Sequence, residues 1–542
     1  MKVYVRVCLF LGLLLMTQTA VQAQRSTKPK LVVGLVVDQM RWDYLYRYAD
    51  RYGSGGFKRL LREGFSCENT LIPYTPTYTA AGHTCVYTGS VPSLHGIMGN
   101  NWYNKAERRV VYCTEDASVQ TVGSTSAAGL MSPRNLWSTT VSDELRLAQN
   151  FRNKTIAIAI KDRGAILPGG HSANAAYWFD ASVGGFISSS FYMQQLPQWV
   201  QAFNAKKLPD AYLKANWNTL YPIETYVQST HDSQAYENII PGEDNTFPHR
   251  TDTLTKNKYE SFKYLPGANT FTLEMAKAAI SGENLGKQGV TDMLTVSLSS
   301  TDYLGHATGP NSIEAEDMYL RLDKDLAQLL SYLDQAIGKD QYVFFLTADH
   351  GAAHVPGFLQ QHNIPGGALD DAMLQSRLSA GLQKTRGASN LIAKVINYQV
   401  YLNDSVIQER KIDKRVLKQQ IIDSLMQVPG VAKAIDLENV ANTLLPESLK
   451  RAVTNGYNQK LSGDIQFVYQ PQWFDGGNRG TTHGSWNPYD AHIPLLWYGW
   501  NVKSGASNRT VYMTDIAPTL AALLHIQMPN ANIGSVIEEV IK

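Results

Sequence analysis

LVVGLVV at residues 31–37 runs straight into Asp38, and the same arrangement recurs twice downstream. MLTVSLSST at 293–301 leads to Asp302, with His306 four residues on, and YVFFLTA at 342–348 leads to the adjacent Asp349 and His350. Unbroken apolar runs of about seven residues read as strands buried on both faces, as in a parallel sheet. Open sheets of that kind place their chemistry at the carboxyl ends of the strands. Thr481-Thr482-His483-Gly484 presents a further imidazole outside any apolar run.

Outward from these segments, strands and helices alternate. TIAIAI at 155–160 is another buried strand, followed at once by Lys161-Asp162-Arg163-Gly164. Helical stretches are expected at 43–63 (interrupted near Gly53–Gly56), 79–90, 271–282 and 312–336, the last two preceding strands at 292–301 and 342–348. IPLLWYGW at 493–500 and a helix over 514–526 close the pattern. The expected class is α/β, a doubly wound, mostly parallel sheet. Residues 100–135, 205–270 and 370–475 break the alternation, being polar, aromatic and rich in Gly, Pro and Asn. They read as insertions that wall the strand ends of one catalytic domain over 24–542, separate modules being the alternative.

Residues 1–23 read as a secretory signal: Lys2 and Arg6, then VCLFLGLLLM, then the small-residue site Val21-Gln22-Ala23. The apolar run is shorter than the roughly 20 residues that span a bilayer, and no later segment is apolar enough. The expected product is exported, periplasmic or secreted. Removal of Lys2 and Arg6 leaves 47 basic residues against 47 acidic ones. That balance argues against a broad footprint for nucleic acid or anionic lipid. Cys67, Cys85 and Cys113 remain, which in an oxidising compartment permits one disulfide. No CxxC spacing supports a thiolate zinc site.

Asp302 and His306 share one side of a helical turn, whereas Asp349 and His350 diverge and need other partners. Three carboxylates and three imidazoles suit two divalent ions with three protein ligands apiece, each keeping a position open for substrate. His354 is a weaker candidate, because Gly351 and Pro356 interrupt the helix that would align it with His350. His95 is expected to hydrogen-bond structurally. A nucleophile is offered by Thr75, Thr77 or Thr79, at or before the start of an expected helix, where backbone N–H groups and the dipole favour an anion. A metal ion would lower the pKa of such a hydroxyl.

Together these segments resemble the alkaline phosphatase superfamily. Thr79-Ala-Ala-Gly-His-Thr-Cys-Val-Tyr-Thr-Gly89, followed by Leu94-His95-Gly96-Ile97, is similar to the nucleophile helix of the nucleotide pyrophosphatase/phosphodiesterase branch. Gly99-Asn100-Asn101-Trp102, the run Lys161 to His171 and the run Ala348 to Phe358 resemble the PafA-type phosphate-irrepressible alkaline phosphatases over essentially the whole mature chain. The resemblance selects Thr79 as nucleophile and implies two zinc ions. One would be held by Asp302, His306 and His483, and the other by Asp38, Asp349 and His350, with Thr79 approaching it. It implies that Asn100, Lys161 and Arg163 contact phosphoryl oxygens, with a one-residue ambiguity between Asn100 and Asn101. The expected reaction is hydrolysis of small phosphate monoesters through a phosphothreonine intermediate; the oligomeric state is left open, a monomer being favoured.

A charge count points the same way. Three Asp carboxylates and a Thr alkoxide balance two divalent ions, and Lys161 with Arg163 adds two positive charges, matching a monoester dianion. A phosphodiesterase of the same superfamily is the nearest alternative, followed by an exported phosphate- or metal-binding protein without turnover. A sulfatase is disfavoured, because none of Cys67, Cys85 and Cys113 lies in a C-x-P-x-R context.

Overall fold

Five strands buried along their whole length form the centre of the molecule: β1 (Leu31–Val37), β2 (Thr155–Ala159), β3 (Ala175–Asp180), β4 (Asp292–Leu298) and β5 (Tyr342–Thr347). They pair in parallel in the order β5-β1-β4-β2-β3. Both flanks turn antiparallel. Leu495–Gly499 pairs with β5 and then with Phe65–Leu71, while Gly185–Ser189 pairs with β3 and then with Thr121–Val122. The result is an eleven-stranded mixed sheet with a parallel core. The computed structural model describes residues 28–240 and 245–542. The leader expected at 1–23 lies outside the described residues.

The strand residues are those the apolar runs demand, since a sheet covered on both faces tolerates no polar alternation. Each fully buried Val, Leu, Ile or Phe contributes roughly 1.5–3 kcal/mol, which offsets the cost of holding charges at the strand ends. Helices cover both faces. Pro266–Gly282 packs with α4 (Ile313–Leu333) on one, and α1 (Thr79–Thr88) packs with α2 (Asp162–Gly169) on the other.

Two expectations need correction. The strand read over 292–301 stops at Leu298, and α3 (Ser300–Thr308) begins almost at once. Thr301 returns its hydroxyl to the Leu298 carbonyl, 3.0 Å, closing a turn instead of extending the strand. The permitted disulfide is not formed: Cys67, Cys85 and Cys113 are all free and buried. They sit on separate elements, in the Phe65–Leu71 strand, in α1 and just past the hairpin of Asn101–Asn104 with Arg109–Tyr112.

Residues 371–469 build a second sheet of four strands, in the order Ile392–Ile396, Gln399–Leu402, Ile465–Tyr469 and Val431–Asp436. Helices Asp371–Arg386 and Lys414–Leu425 supply Leu378, Leu382, Leu417 and Ile421 to a core of its own with Val400 and Phe467. This unit meets the segments on either side of α1. Tyr398 stacks on Tyr78 at 6.4 Å, and Asn397 Nδ2 donates to the Asn101 carbonyl at 2.6 Å.

Candidate active site

Strand register assembles the site. Val36 is paired with both Thr347 and Ser297, and Ser297 with Ala159. Asp38, Asp349, Ser299 and Lys161 therefore all stand two residues beyond one common level of the sheet. The Asp38 N–H donates to the Leu298 carbonyl at 3.1 Å, and the Lys161 N–H to Ser299 Oγ at 3.2 Å, which ties neighbouring strand ends together. Asp302 arrives one turn later, in the first turn of α3.

Two groups of ligand atoms result, Asp302 with His306 and His483, and Asp38 with Asp302 and His350. His306 Nε2 lies 3.1 Å and His483 Nε2 3.7 Å from Asp302 Oδ1. His350 Nε2 lies 3.5 Å from Asp38 Oδ1 and 3.3 Å from Asp349 Oδ2. Asp302 thus faces both groups, a sharing absent from the tidy three-and-three division the sequence suggested. Lys161 Nζ bridges them as well, 2.6 Å from Asp38 Oδ2 and 2.5 Å from Asp302 Oδ2.

Thr79 opens α1, and its Oγ1 lies 3.3 Å from His350 Nε2. No side chain of the preceding residue caps this helix; instead Asn100 Oδ1 accepts the Ala80 N–H at 2.9 Å. Asn100 is therefore the one of the Asn100–Asn101 pair whose side chain is seen to meet α1. Gly82 lets α1 approach so closely, because a Cβ there would stand 2.5 Å from the Asp349 carbonyl oxygen. Arg163 Nη1 donates to Tyr112 Oη at 3.0 Å, and that hydroxyl donates on to Asp162 Oδ1 at 2.8 Å.

The donor set fits divalent metal ions. Each imidazole gives its Nδ1–H to a main-chain carbonyl: His306 to Thr481 at 2.8 Å, His350 to Gly351 at 3.0 Å and His483 to Thr77 at 2.6 Å. A carbonyl only accepts, so in the neutral imidazole each Nε2 is left with its lone pair aimed at a carboxylate, the arrangement of metal-binding histidines. Buried Asp38 Oδ1 has no hydrogen-bond partner at all. Converging acceptors of this kind call for a cation.

The electrostatics match. Burial pushes the Asp38 carboxyl well above the usual carboxylate range, and Asp302 and Asp349 push the same way. Burial also works against Asp302, but His306 and Lys161 outweigh it and hold that carboxyl well below the range. Burial lowers His350 and His483, which favours neutral imidazoles able to ligate, whereas burial of His306 is outweighed by the Asp302 carboxylate and its value is raised.

Comparison with known proteins places this geometry in a family. Residues 32–491 match the type I phosphodiesterase/nucleotide pyrophosphatase family. This chain belongs to that family. It is 54% identical to alkaline phosphatase PhoV of Synechococcus elongatus, over 97% of this chain and 95% of the relative. A Myroides odoratus protein named calcium-transporting ATPase is 52% identical over 96% of both chains. The crystal structure of wild-type alkaline phosphatase PafA superposes with a TM-score of 0.94 at 48% identity, covering 96% of this chain and all of that one. The α/β fold read from the apolar runs is the fold of this family.

Asp38, Thr79, Asn100, Lys161, Asp302, His306, Asp349, His350 and His483 are thus brought together, whereas His95 and His354 are held by other partners. His95 accepts the Ile97 N–H through Nδ1 at 3.1 Å, and His354 Nδ1 pairs with Asn311 Oδ1 at 2.6 Å. Two further residues contribute. His83, one helical turn after Thr79, sits 3.3 Å from Asp349 Oδ2 and holds Ser297 Oγ at 2.8 Å. Its i,i+4 spacing from Thr79 was the available signal. Gln39 touches both Asp302 and Asp349, and no periodicity announces it.

Proposed function

We propose that this chain is an exported alkaline phosphatase that hydrolyses phosphate monoesters, with Thr79 as nucleophile. The observation that carries the reading is the convergence of three carboxylates and three Nδ1-anchored imidazoles, one of which, His350, lies 3.3 Å from the Thr79 hydroxyl at the start of α1. Asp302, His306 and His483 would hold one zinc ion and Asp38, Asp349 and His350 the other, with Asp302 close enough to serve both. Bound there, the ions supply Lewis acidity that favours the Thr79 alkoxide and neutralises charge on the phosphoryl oxygens.

Thr79 Oγ1 attacks phosphorus in line with the departing alkoxide, which leaves as the alcohol after gaining a proton. Water then attacks the phosphothreonine and frees inorganic phosphate. The N-terminal dipole of α1 favours the anion. Lys161 acts as a point charge, while Arg163, steadied by Tyr112, can bond two oxygens at once. These two cations, added to a site already neutral with its ions, favour a dianionic monoester over a diester monoanion. The terminal phosphate of ATP presents the same dianionic group, so ATP hydrolysis is compatible with this site.

The leader at 1–23 supports export, and no helix among the described residues is long and apolar enough to cross a membrane. The stretches 100–135, 205–270 and 370–475 are read as insertions into one catalytic domain. The test combines metal analysis with parallel rates on a phosphate monoester, a diester and a sulfate ester. Two zinc ions per chain and a preference for the monoester, lost on chelation, are expected. Replacing both Lys161 and Arg163 with Ala should remove most monoesterase activity. A variant that keeps its rate on the preferred substrate would instead identify a phosphodiesterase.

A further inference from the structure

Gln39 links two of the three carboxylates and follows the third in sequence. It follows Asp38 directly, its main-chain N–H donates to Asp349 Oδ1 at 3.1 Å, and its carboxamide Nε2 donates to Asp302 Oδ1 at 2.8 Å. The residue is 4% exposed and adopts φ 63°, a left-handed backbone that is uncommon for a non-glycine residue. The turn is what aims the main-chain N–H at Asp349 while the side chain reaches back to Asp302. Opposite it stands Gly305 in α3, where a Cβ would lie 1.9 Å from Gln39 Oε1. An atom so near would have to displace the carboxamide.

The hydrogen bonds also distribute the carboxylate oxygens. Asp349 Oδ1 is occupied by the N–H groups of Gln39 and His350, leaving Oδ2, without a hydrogen bond, to face His350 Nε2. Asp302 Oδ1 takes the Gln39 carboxamide, and Oδ2 takes Lys161. One residue therefore sets the rotation of a carboxylate in each ligand group.

We infer that Gln39 is a positioning residue for both metal groups, seated by Gly305, and that its strained backbone is retained for metal binding and not for folding. The inference rests on the two-zinc reading above. Its test is zinc stoichiometry and affinity, measured on wild type, Gln39→Gly, Gly305→Ala and the double variant by competition with a chromogenic chelator, beside thermal unfolding of each metal-free protein. Gln39→Gly relieves the left-handed strain, so the metal-free variant should unfold at the same temperature as wild type or higher. Its zinc affinity should nevertheless fall about 10–100-fold, as for other residues that orient ligands. The accompanying loss in kcat/KM should be recovered by excess zinc.

Gly305→Ala leaves Gln39 in the sequence but evicts its carboxamide, and should reproduce the loss of affinity. The double variant should be no worse than the more impaired single one, because both remove one interaction. Wild-type zinc affinity in Gln39→Gly, or additive losses in the double variant, would overturn the inference, as would a parallel fall in metal-free stability. Should Gln39→Gly fail to fold, Gln39→Glu keeps the size and replaces the donor with an acceptor, and the same loss of affinity is expected of it. Failure of the wild-type protein to bind zinc would instead remove the reading on which the inference rests, an outcome distinguishable from all of these.

Discussion

The two ligand groups share Asp302 but are built by different means. Asp38, Asp349 and His350 stand at strand ends, fully buried, at positions set by the register of β1 and β5. His306 and His483 come from a helical turn and a loop, and the His306 side chain keeps 35% of its exposure. Their orientation depends on the main-chain carbonyls of Thr481 and Thr77. Sheet register gives the inner group a geometry that loops cannot loosen, whereas the outer group is placed where water and product can exchange.

The largest effect expected is on the inner side. Thr79→Ala should reduce turnover of p-nitrophenyl phosphate on the order of 10⁴–10⁶-fold while zinc content stays at the wild-type level. Activity retained in the folded, metal-loaded variant would remove Thr79 as nucleophile. A second experiment sets the groups against each other. Asp38→Asn and His306→Ala should each lose more than the roughly 10–100-fold in affinity known for residues outside the ligand shell. The outer site, where His306 is partly exposed, should regain activity at high zinc, and the inner site should not. Equal recovery of both variants in a zinc titration would dissolve the distinction.

The smallest effect concerns a carboxyl outside both groups and serves as their control. Burial, with Glu314 and Asp232 nearby, pushes the Glu237 carboxyl up to about 9 from an ordinary 4.5. Folded Glu237 stays protonated where the unfolded chain is already ionised, so its contribution to stability falls as pH rises from about 4.5 to about 9. Glu237→Gln should remove that fall, raising Tm relative to wild type more at pH 9 than at pH 5. Tm curves that run parallel in pH would contradict this assignment, and zinc binding should be unaffected throughout.

How much of this was legible follows from what each residue depends on. Asp38, Asp349 and His350 were readable because a strand buried on both faces must be a continuous apolar run, and its end marks the site. Asp302 and His306 were readable as a helical pair. Their strand, however, was drawn three residues too long, since Ser299, Ser300 and Thr301 carry no signal that the chain turns. Thr79 could not be separated from Thr75 and Thr77 by periodicity; resemblance separated them. Gln39 was invisible, because its role arises from a left-handed turn and from two carboxylates more than 260 positions away. The flanking strand Phe65–Leu71 mixes Ser, Cys, Glu, Asn and Thr with few apolar residues, so it offers no run to detect. The bridge from Lys161 to Asp38 and Asp302 is a product of strand register, which sequence patterns do not encode.

The three buried thiols bear on chemical durability. A hydroxyl-based catalyst gains from alkaline solution, the same condition that turns ordinary cysteines into oxidisable thiolates. Burial pushes Cys67 and Cys113 up to about 12 and Cys85 well above its usual value. Burial therefore favours the protonated, unreactive thiol at each of these positions, and none of the described cysteines forms a cross-link. Reactivity toward an alkylating reagent becomes a property of the unfolded chain, so the rate of thiol labelling reports how often the core opens.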